Sequence, residues 1–476
     1  MAQSNEEEKR RKNGKPVPDV SLVHEITSAA WQLQVDVGSI AQLESYDDAN
    51  FYLRAVSATS AHDAHFPSAT ETEYLIKFYN AVESDNPDIL RGISQLLTTI
   101  SSYDRTSTID SFIHPLVPLP LKVRSGYITD PRCFYASNND RNDVPDDIAY
   151  SQISSLCGKD QTIASRLFHW IRGPTLDKAR EITSSTPLLM VNLGFSLGSI
   201  TNSLKGFDHP AFHREHCWDL QNFASTYTIF SVYIDEPDIK DLVDAVFKNF
   251  REQVIPISHL FRRSVIMGDC NDANVITNVE RTSVTGIIDF GDAVYTWSVN
   301  EIAIAMAYAL LTTYGQTEPL KCIACIFGGY KYATDEYHSS INCDDVDKSC
   351  EKTLSELDQE LSIEYGCLHT LICMRLCLSI MIGSFSISKD PTNEYLKLHS
   401  QPSKQVLRML SKVADILPFV SVSGIHGDGE RKCLSSSTLL KVFSNISNTD
   451  ISKATDSKGL AELFVDIAHK SEVNSL

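Results

Sequence analysis

The sequence has no uninterrupted apolar run long enough to cross a membrane, no paired cysteine spacing, no internal repeat and comparatively little positive charge. A membrane span needs about 20 apolar residues. The best candidate, Cys367 to Phe385, is broken by His369 and Arg375 and reads as a buried bundle helix. The first apolar stretch follows the polar segment MAQSNEEEKRRKNGKPVPD, so no export signal is expected. Lys plus Arg number 42 against 61 Asp plus Glu, a net charge of −19. That balance excludes nucleic acid or an anionic membrane as the main partner and suits a small cationic one. The 12 cysteines are scattered, which points to reduced thiols and a cytoplasmic chain with no obligate protein partner evident. Cys322 and Cys325 form the one C-x-x-C; with no second pair they mark a helix face rather than a zinc site.

What is present is 476 residues of ordinary globular composition, 42% apolar and 22% charged, with length for two lobes. The chain is organised around residues 265–292, VIMGDCNDANVITNVERTSVTGIIDFGD. Val265-Ile266-Met267 leads into Gly268-Asp269, and five residues later stands Asn274. Asn274 to Thr277 and Gly286 to Ile288 have strand composition around a polar turn, and the second strand ends on Asp289-Phe290-Gly291-Asp292. Phosphoryl transfer needs a hydroxyl placed in line with a γ-phosphate and Mg²⁺ held where charge accumulates. Asp269 is the candidate base, and Asn274 and Asp289 offer the hard oxygens Mg²⁺ prefers. Asp and Asn also fill ordinary turns, so either half alone would be weak; the Asp-x4-Asn and Asp-Phe-Gly pair together points to a kinase. His426-Gly427-Asp428 echoes the tripeptide, but Cys433 stands where the asparagine should be and no Asp-Phe-Gly follows.

Upstream, a helix from Ser21 to Trp31 precedes a hairpin of Val35 to Leu43 and Phe51 to Val56. Its turn, Glu44 to Asn50, contains no glycine, so backbone N–H groups and the Ser45 hydroxyl would have to serve a nucleotide, with Tyr46 and Asp47 beside them. Lys77, within the apolar strand Glu73 to Tyr79, demands a partner, and phosphate is the candidate. Asn86 and Pro87 open a helix with Ile89, Leu90, Ile93, Leu96, Leu97 and Ile100 at helical spacing. It offers no glutamate to hold Lys77; Asp88 is its only acid. A strand-like Leu121 to Ile128, a polar excursion from Thr129 to Asp147 and a strand from Thr162 to Ile171 follow, and backbone near His169, Trp170 and Ile171 is expected to meet the purine. The reading is α+β: a disordered tail over 1–20, an antiparallel nucleotide-binding lobe with one main helix over 21–173, a largely helical catalytic and substrate-binding lobe over 174–417, and an extension over 418–476 of unassigned role.

The span from about Glu44 to about Lys412 resembles the hydroxylysine kinases, within the aminoglycoside phosphotransferase-like group of protein-kinase-like fold. The segments that carry it are Ser45 to Phe51, Tyr74 to Lys77, Asn86 to Asp88, His213 to Glu215 with Trp218 to Leu220, Gly268 to Asn274, and Gly286 to Tyr295 with Glu301. The resemblance implies transfer of the GTP γ-phosphate to the hydroxyl of 5-hydroxylysine, with Asp269 as base, Asn274 and Asp289 on Mg²⁺ and Lys77 on phosphate. It departs at Met267, where a histidine is usual, and at Arg91, near which an acid is usual. An acceptor with two ammonium groups and one carboxylate makes Asp272, Asp292 and Glu301 candidate amine partners, and Arg214 or Arg375 a candidate for the carboxylate. A kinase for homoserine, choline or an aminoglycoside, and a nucleotide-binding pseudokinase, are the competing readings; retention of Asp269, Asn274 and Asp289 speaks against the last.

Overall fold

The computed structural model describes residues 10–11, 13–57, 71–103, 114–124, 133–134, 146–178, 186–314, 319–341, 363–389, 397–415, 461–463 and 465–466. The His426-Gly427-Asp428 echo and nearly all of the 418–476 extension lie outside these. The chain divides into two compact units, one of residues 1–102, 117–172 and 209–212, the other of 103–116, 173–208 and 213–476.

The first unit is built on a six-stranded antiparallel sheet of β1 (Leu33–Leu43), β2 (Ala49–Ser57), β3 (Thr72–Phe78), β4 (Cys133–Phe134), β5 (Ala149–Ser154) and β6 (Asp160–His169), in spatial order β1-β2-β3-β6-β5-β4. Before it runs α1 (Val20–Trp31), capped where the Asp19 side chain accepts the Leu22 N–H. Val23, Ile26, Ala30 and Trp31 share a core with Phe51, Leu53, Ile76, Phe78 and Leu167. A single turn, α2 (Ala81–Ser84), leads to α3 (Pro87–Ser101), where Asn86 caps and all six residues named from spacing are buried.

Three expectations for this unit are corrected. Leu121 to Arg124 is not a strand: Leu121 N–H donates to the Leu167 carbonyl and Val123 N–H to that of Asp146, and 125–132 lie outside the described residues. Arg166 sits fully buried beneath α3, donating to the Leu90 carbonyl at 2.7 Å, Ser94 Oγ at 2.6 Å and Asp147 Oδ1 at 3.1 Å. A buried guanidinium survives by such bonds, so Asp147, read as the last residue of the polar excursion, belongs to the core. The segment expected as a tail is placed from Arg10: Val17 N–H donates to the Ser154 carbonyl, and Lys15 Nζ donates to the carbonyls of Ser45 at 2.5 Å and Tyr46 at 3.3 Å.

The second unit is mostly helical: α4 (Thr186–Ser203), α5 (Phe223–Phe230), α6 (Pro237–Asn249), α7 (Val299–Thr313), α8 (Pro319–Ile341), α9 (Leu368–Lys389) and α10 (Lys397–Asp415). Helix α6 stops at Asn249, and the chain continues as a wide turn and a tight one, with Pro256 in the latter. Helix α8 runs as far as Ile341, and residues 342–362 lie outside the described residues. Over Leu368–Ser388, α9 is apolar and long enough for a membrane, yet 83% of that window is buried against the protein's own elements. Among the described residues, Cys322 and Cys325 are free thiols and both buried. Two short antiparallel pairs interrupt the helices: β7 (Arg263–Ile266) with β10 (Val294–Trp297), and β8 (Val275–Thr277) with β9 (Val284–Ile287).

Candidate active site

Strand β7 delivers the chain to Gly268, which adopts φ +80°; a Cβ there would lie 2.7 Å from the Asp292 carbonyl oxygen. Only glycine permits both the left-handed turn and that approach. From beneath, Glu301 in the first turn of α7 accepts the Met267 N–H at 2.6 Å. Burial lifts its carboxyl to about 7, against the pull of hydrogen bonds from the Met267 and Gly268 backbone.

The loop then closes on its own asparagines. Asn271 Oδ1 accepts the N–H of Ala273 at 2.9 Å and of Asn274 at 3.1 Å, an Asx turn. Asn274 Nδ2 donates to the Asp269 carbonyl at 3.0 Å and to its Oδ2 at 3.3 Å, and Asn271 Nδ2 reaches the same Oδ2 at 2.7 Å. The other oxygen, Oδ1, accepts Arg375 Nη2 at 2.6 Å. Sequence spacing thus singled out Asp269 and Asn274, but not Asn271 or Arg375 as partners of the Asp269 carboxylate.

Pairing of Val275 with Ile287 brings the far half of the motif alongside. Ile288 N–H donates to the Asn274 carbonyl at 3.0 Å, so Asn274 and Asp289 leave the same end of the hairpin. Asp289 has φ +62°, a left-handed conformation unusual outside glycine though tolerated by Asp. Such outliers concentrate at functional sites.

The candidate acceptor residues fare differently. Glu301 is 1% exposed and accepts backbone N–H groups of the loop, so it supports the loop and is not open to an acceptor amine. Arg214 donates to the carbonyls of Gly291 at 2.5 Å and Ala293 at 3.0 Å, fixing the segment after Asp289. Asp272 is buried and accepts the Thr312 hydroxyl at 2.9 Å. Asp292 is partly exposed, with Oδ1 3.3 Å from His216 Nε2.

In the first unit, Lys77 is buried on β3 with Nζ 2.8 Å from Asp48 Oδ2. Asp48, in the turn before β2, thus takes the place of the missing helix glutamate, and its Oδ1 accepts the Asn80 N–H at 2.8 Å. Asp88 turns instead to Arg91 at 2.5 Å. The Ser45 hydroxyl donates to the Asp48 carbonyl, the Tyr46 carbonyl accepts Lys15, and Asp47 Oδ2 accepts Asn80 Nδ2 at 3.1 Å and Arg11 Nη1 at 3.3 Å. His169 stacks on Tyr74, the Trp170 N–H donates to the Glu73 carbonyl at 3.0 Å, and Ile171 is half-buried.

Residues 137–331 match the phosphotransferase enzyme family. The chain is a phosphotransferase. It is similar to the hydroxylysine kinase of Mus musculus, 22% identical over 386 residues, covering 79% of this chain and 85% of that one. Similarity to the hydroxylysine kinase of Danio rerio is 23% over 418 residues, covering 85% and 94%. Among solved structures, an amicoumacin kinase in complex with AMP-PNP, Ca²⁺ and Ami superposes with a TM-score of 0.50 at 11% identity, covering 86% of this chain and 96% of that one. The phosphotransferase has the α+β, protein-kinase-like fold expected from the sequence.

Proposed function

We propose that the protein transfers the γ-phosphate of GTP to the hydroxyl of 5-hydroxy-L-lysine in the cytoplasm, giving 5-phosphohydroxylysine and GDP. One observation carries the reading: Asp269 and Asn274 hydrogen-bonded to each other, with Asp289 leaving the same hairpin end. Similarity to hydroxylysine kinases over about four fifths of the chain supports the acceptor.

Asp269 accepts the hydroxyl proton as the acceptor oxygen bonds to the γ-phosphorus and the bond from that phosphorus to the bridging oxygen breaks. Asn274 and Asp289 would hold Mg²⁺. The donor set fits: Asn274 commits its amide nitrogen to Asp269, which leaves Oδ1 as the ligand atom, and a carboxylate oxygen joins it. When bound, the ion neutralises charge on the transferring phosphate. Lys77, paired with Asp48, is the residue proposed for the phosphates, with Ser45, Tyr46 and Asp47 proposed for the nucleotide loop and His169, Trp170 and Ile171 for the purine. Asp292 is the best placed amine partner, since Asp272 and Glu301 are committed to internal bonds; Arg214, the candidate for the acceptor carboxylate, is likewise committed to the Gly291 and Ala293 carbonyls.

The test is purified protein with Mg²⁺, ATP or GTP, and a panel of amino alcohols, run beside Asp269→Asn. GTP with 5-hydroxylysine should give the highest turnover, and Asp269→Asn should lose about 10²–10⁴-fold in kcat. Nucleotide binding without phosphorylated product from any acceptor would overturn the reading in favour of a binding protein.

A further inference from the structure

Arg375 lies within α9, a helix both long and apolar. Its side chain is 2% exposed. Nη2 donates to Asp269 Oδ1 at 2.6 Å and to the Tyr308 hydroxyl at 2.9 Å, and Nη1 donates to the Trp218 carbonyl at 3.3 Å. The guanidinium also lies 4.7 Å from the Trp218 ring centroid and 5.2 Å from that of Tyr308. Burying a cation costs several kcal/mol unless it is paired and hydrogen-bonded; here three stretches of chain far apart in sequence converge to do so.

The carboxylate of Asp269 is consequently gripped on both sides. Asn271 and Asn274 bond Oδ2 from within the loop, and Arg375 bonds Oδ1 from outside it. Turning the carboxylate about its Cβ–Cγ bond would break bonds at both oxygens. A base must lie within about 2.6–3.2 Å of the proton it takes, and small misplacements of reacting groups cost up to about 10²-fold.

We propose that Arg375 is the positioning residue of Asp269: it sets the plane of the base for attack and binds neither nucleotide nor acceptor. Its depth sets it apart from a carboxylate receptor, because both terminal nitrogens are already committed to protein oxygens. This rests on the assignment of Asp269 as the base.

Steady-state kinetics of the full chain with GTP and 5-hydroxylysine, alongside thermal melts, test it in wild type, Arg375→Met and Arg375→Lys. Arg375→Met keeps much of the packing and should lower kcat by about 10–10²-fold with both KM values changed less than about 2-fold. Arg375→Lys, a cation without the fork, should recover part of the loss. Where Arg375→Met fails to fold, Tyr308→Phe removes only one anchor of the guanidinium and should lower kcat by about 3–10-fold. An unchanged kcat in a folded variant overturns the proposal, as does a raised acceptor KM at constant kcat, which would make Arg375 an acceptor-binding group. Absence of turnover in wild type with every acceptor defeats the kinase reading itself, and this role with it.

Discussion

At the scale of the residue, the loop carrying Asp269 shows how one support replaces another. Met267 stands where the resemblance leads one to expect a histidine, and the backbone there is held instead by Glu301 from α7. Because burial raises the Glu301 carboxyl from its ordinary 4.5 to about 7, the folded protein holds that proton more tightly than the unfolded chain. The associated stability is fully present below about pH 4.5 and is lost as pH rises through about 7. Glu301→Gln is always neutral and keeps an oxygen for Met267. Relative to it, wild type should lose about 2–3 kcal/mol between pH 5 and pH 8 in urea titrations. A parallel pH dependence in the two proteins would contradict this. Asp48 and Asp88 make a second contrast. Asp88 forms an exposed pair with Arg91, a type worth about 0–1 kcal/mol, so Asp88→Ala should leave turnover within about 2-fold. Asp48→Ala strips buried Lys77 of a carboxylate and should raise the nucleotide KM by about 10-fold or more, as read from initial rates over a range of GTP concentrations.

At the scale of the element, α4 and α8 pack closely enough that glycine is required on both. A Cβ on Gly194 would lie 2.0 Å from the Ile326 carbonyl oxygen, and one on Gly329 would lie 2.0 Å from that of Val191. Taken alone, each glycine weakens its helix relative to alanine; together they let the two backbones meet. Gly194→Ala or Gly329→Ala should therefore destabilise by about 1–3 kcal/mol, measured as a fall in urea midpoint at unchanged slope. The expectation of a largely helical lobe over 174–417 covers both helices, but a glycine's packing reason exists only once its neighbour is in place.

At the scale of the whole molecule, the net charge of −19 suits an acceptor rich in ammonium groups, while the triphosphate needs local cations and metal. Nucleotide with Mg²⁺ should raise the thermal midpoint, since a ligand at 100 times its Kd adds about 2.7 kcal/mol of stability. Chelation of the metal, or Asp289→Ala, should remove the metal-dependent part of that shift; a full shift in Asp289→Ala would exclude Asp289 as a ligand.

By itself, the sequence determined the order and character of the hairpin bearing Asp269, Asn274 and Asp289, because turn chemistry and strand alternation act over a few residues. It also determined α1, α3 and the strand of Lys77, whose apolar periods are local. What holds the functional side chains was decided only by tertiary structure. Arg375 meets Asp269 across 106 residues of chain, and Met267 meets Glu301 across 34. A charge inside the apolar run of α9 signalled that some partner must exist. Which partner it would be depended on the packing of three separate segments into one core, and no local pattern encodes that.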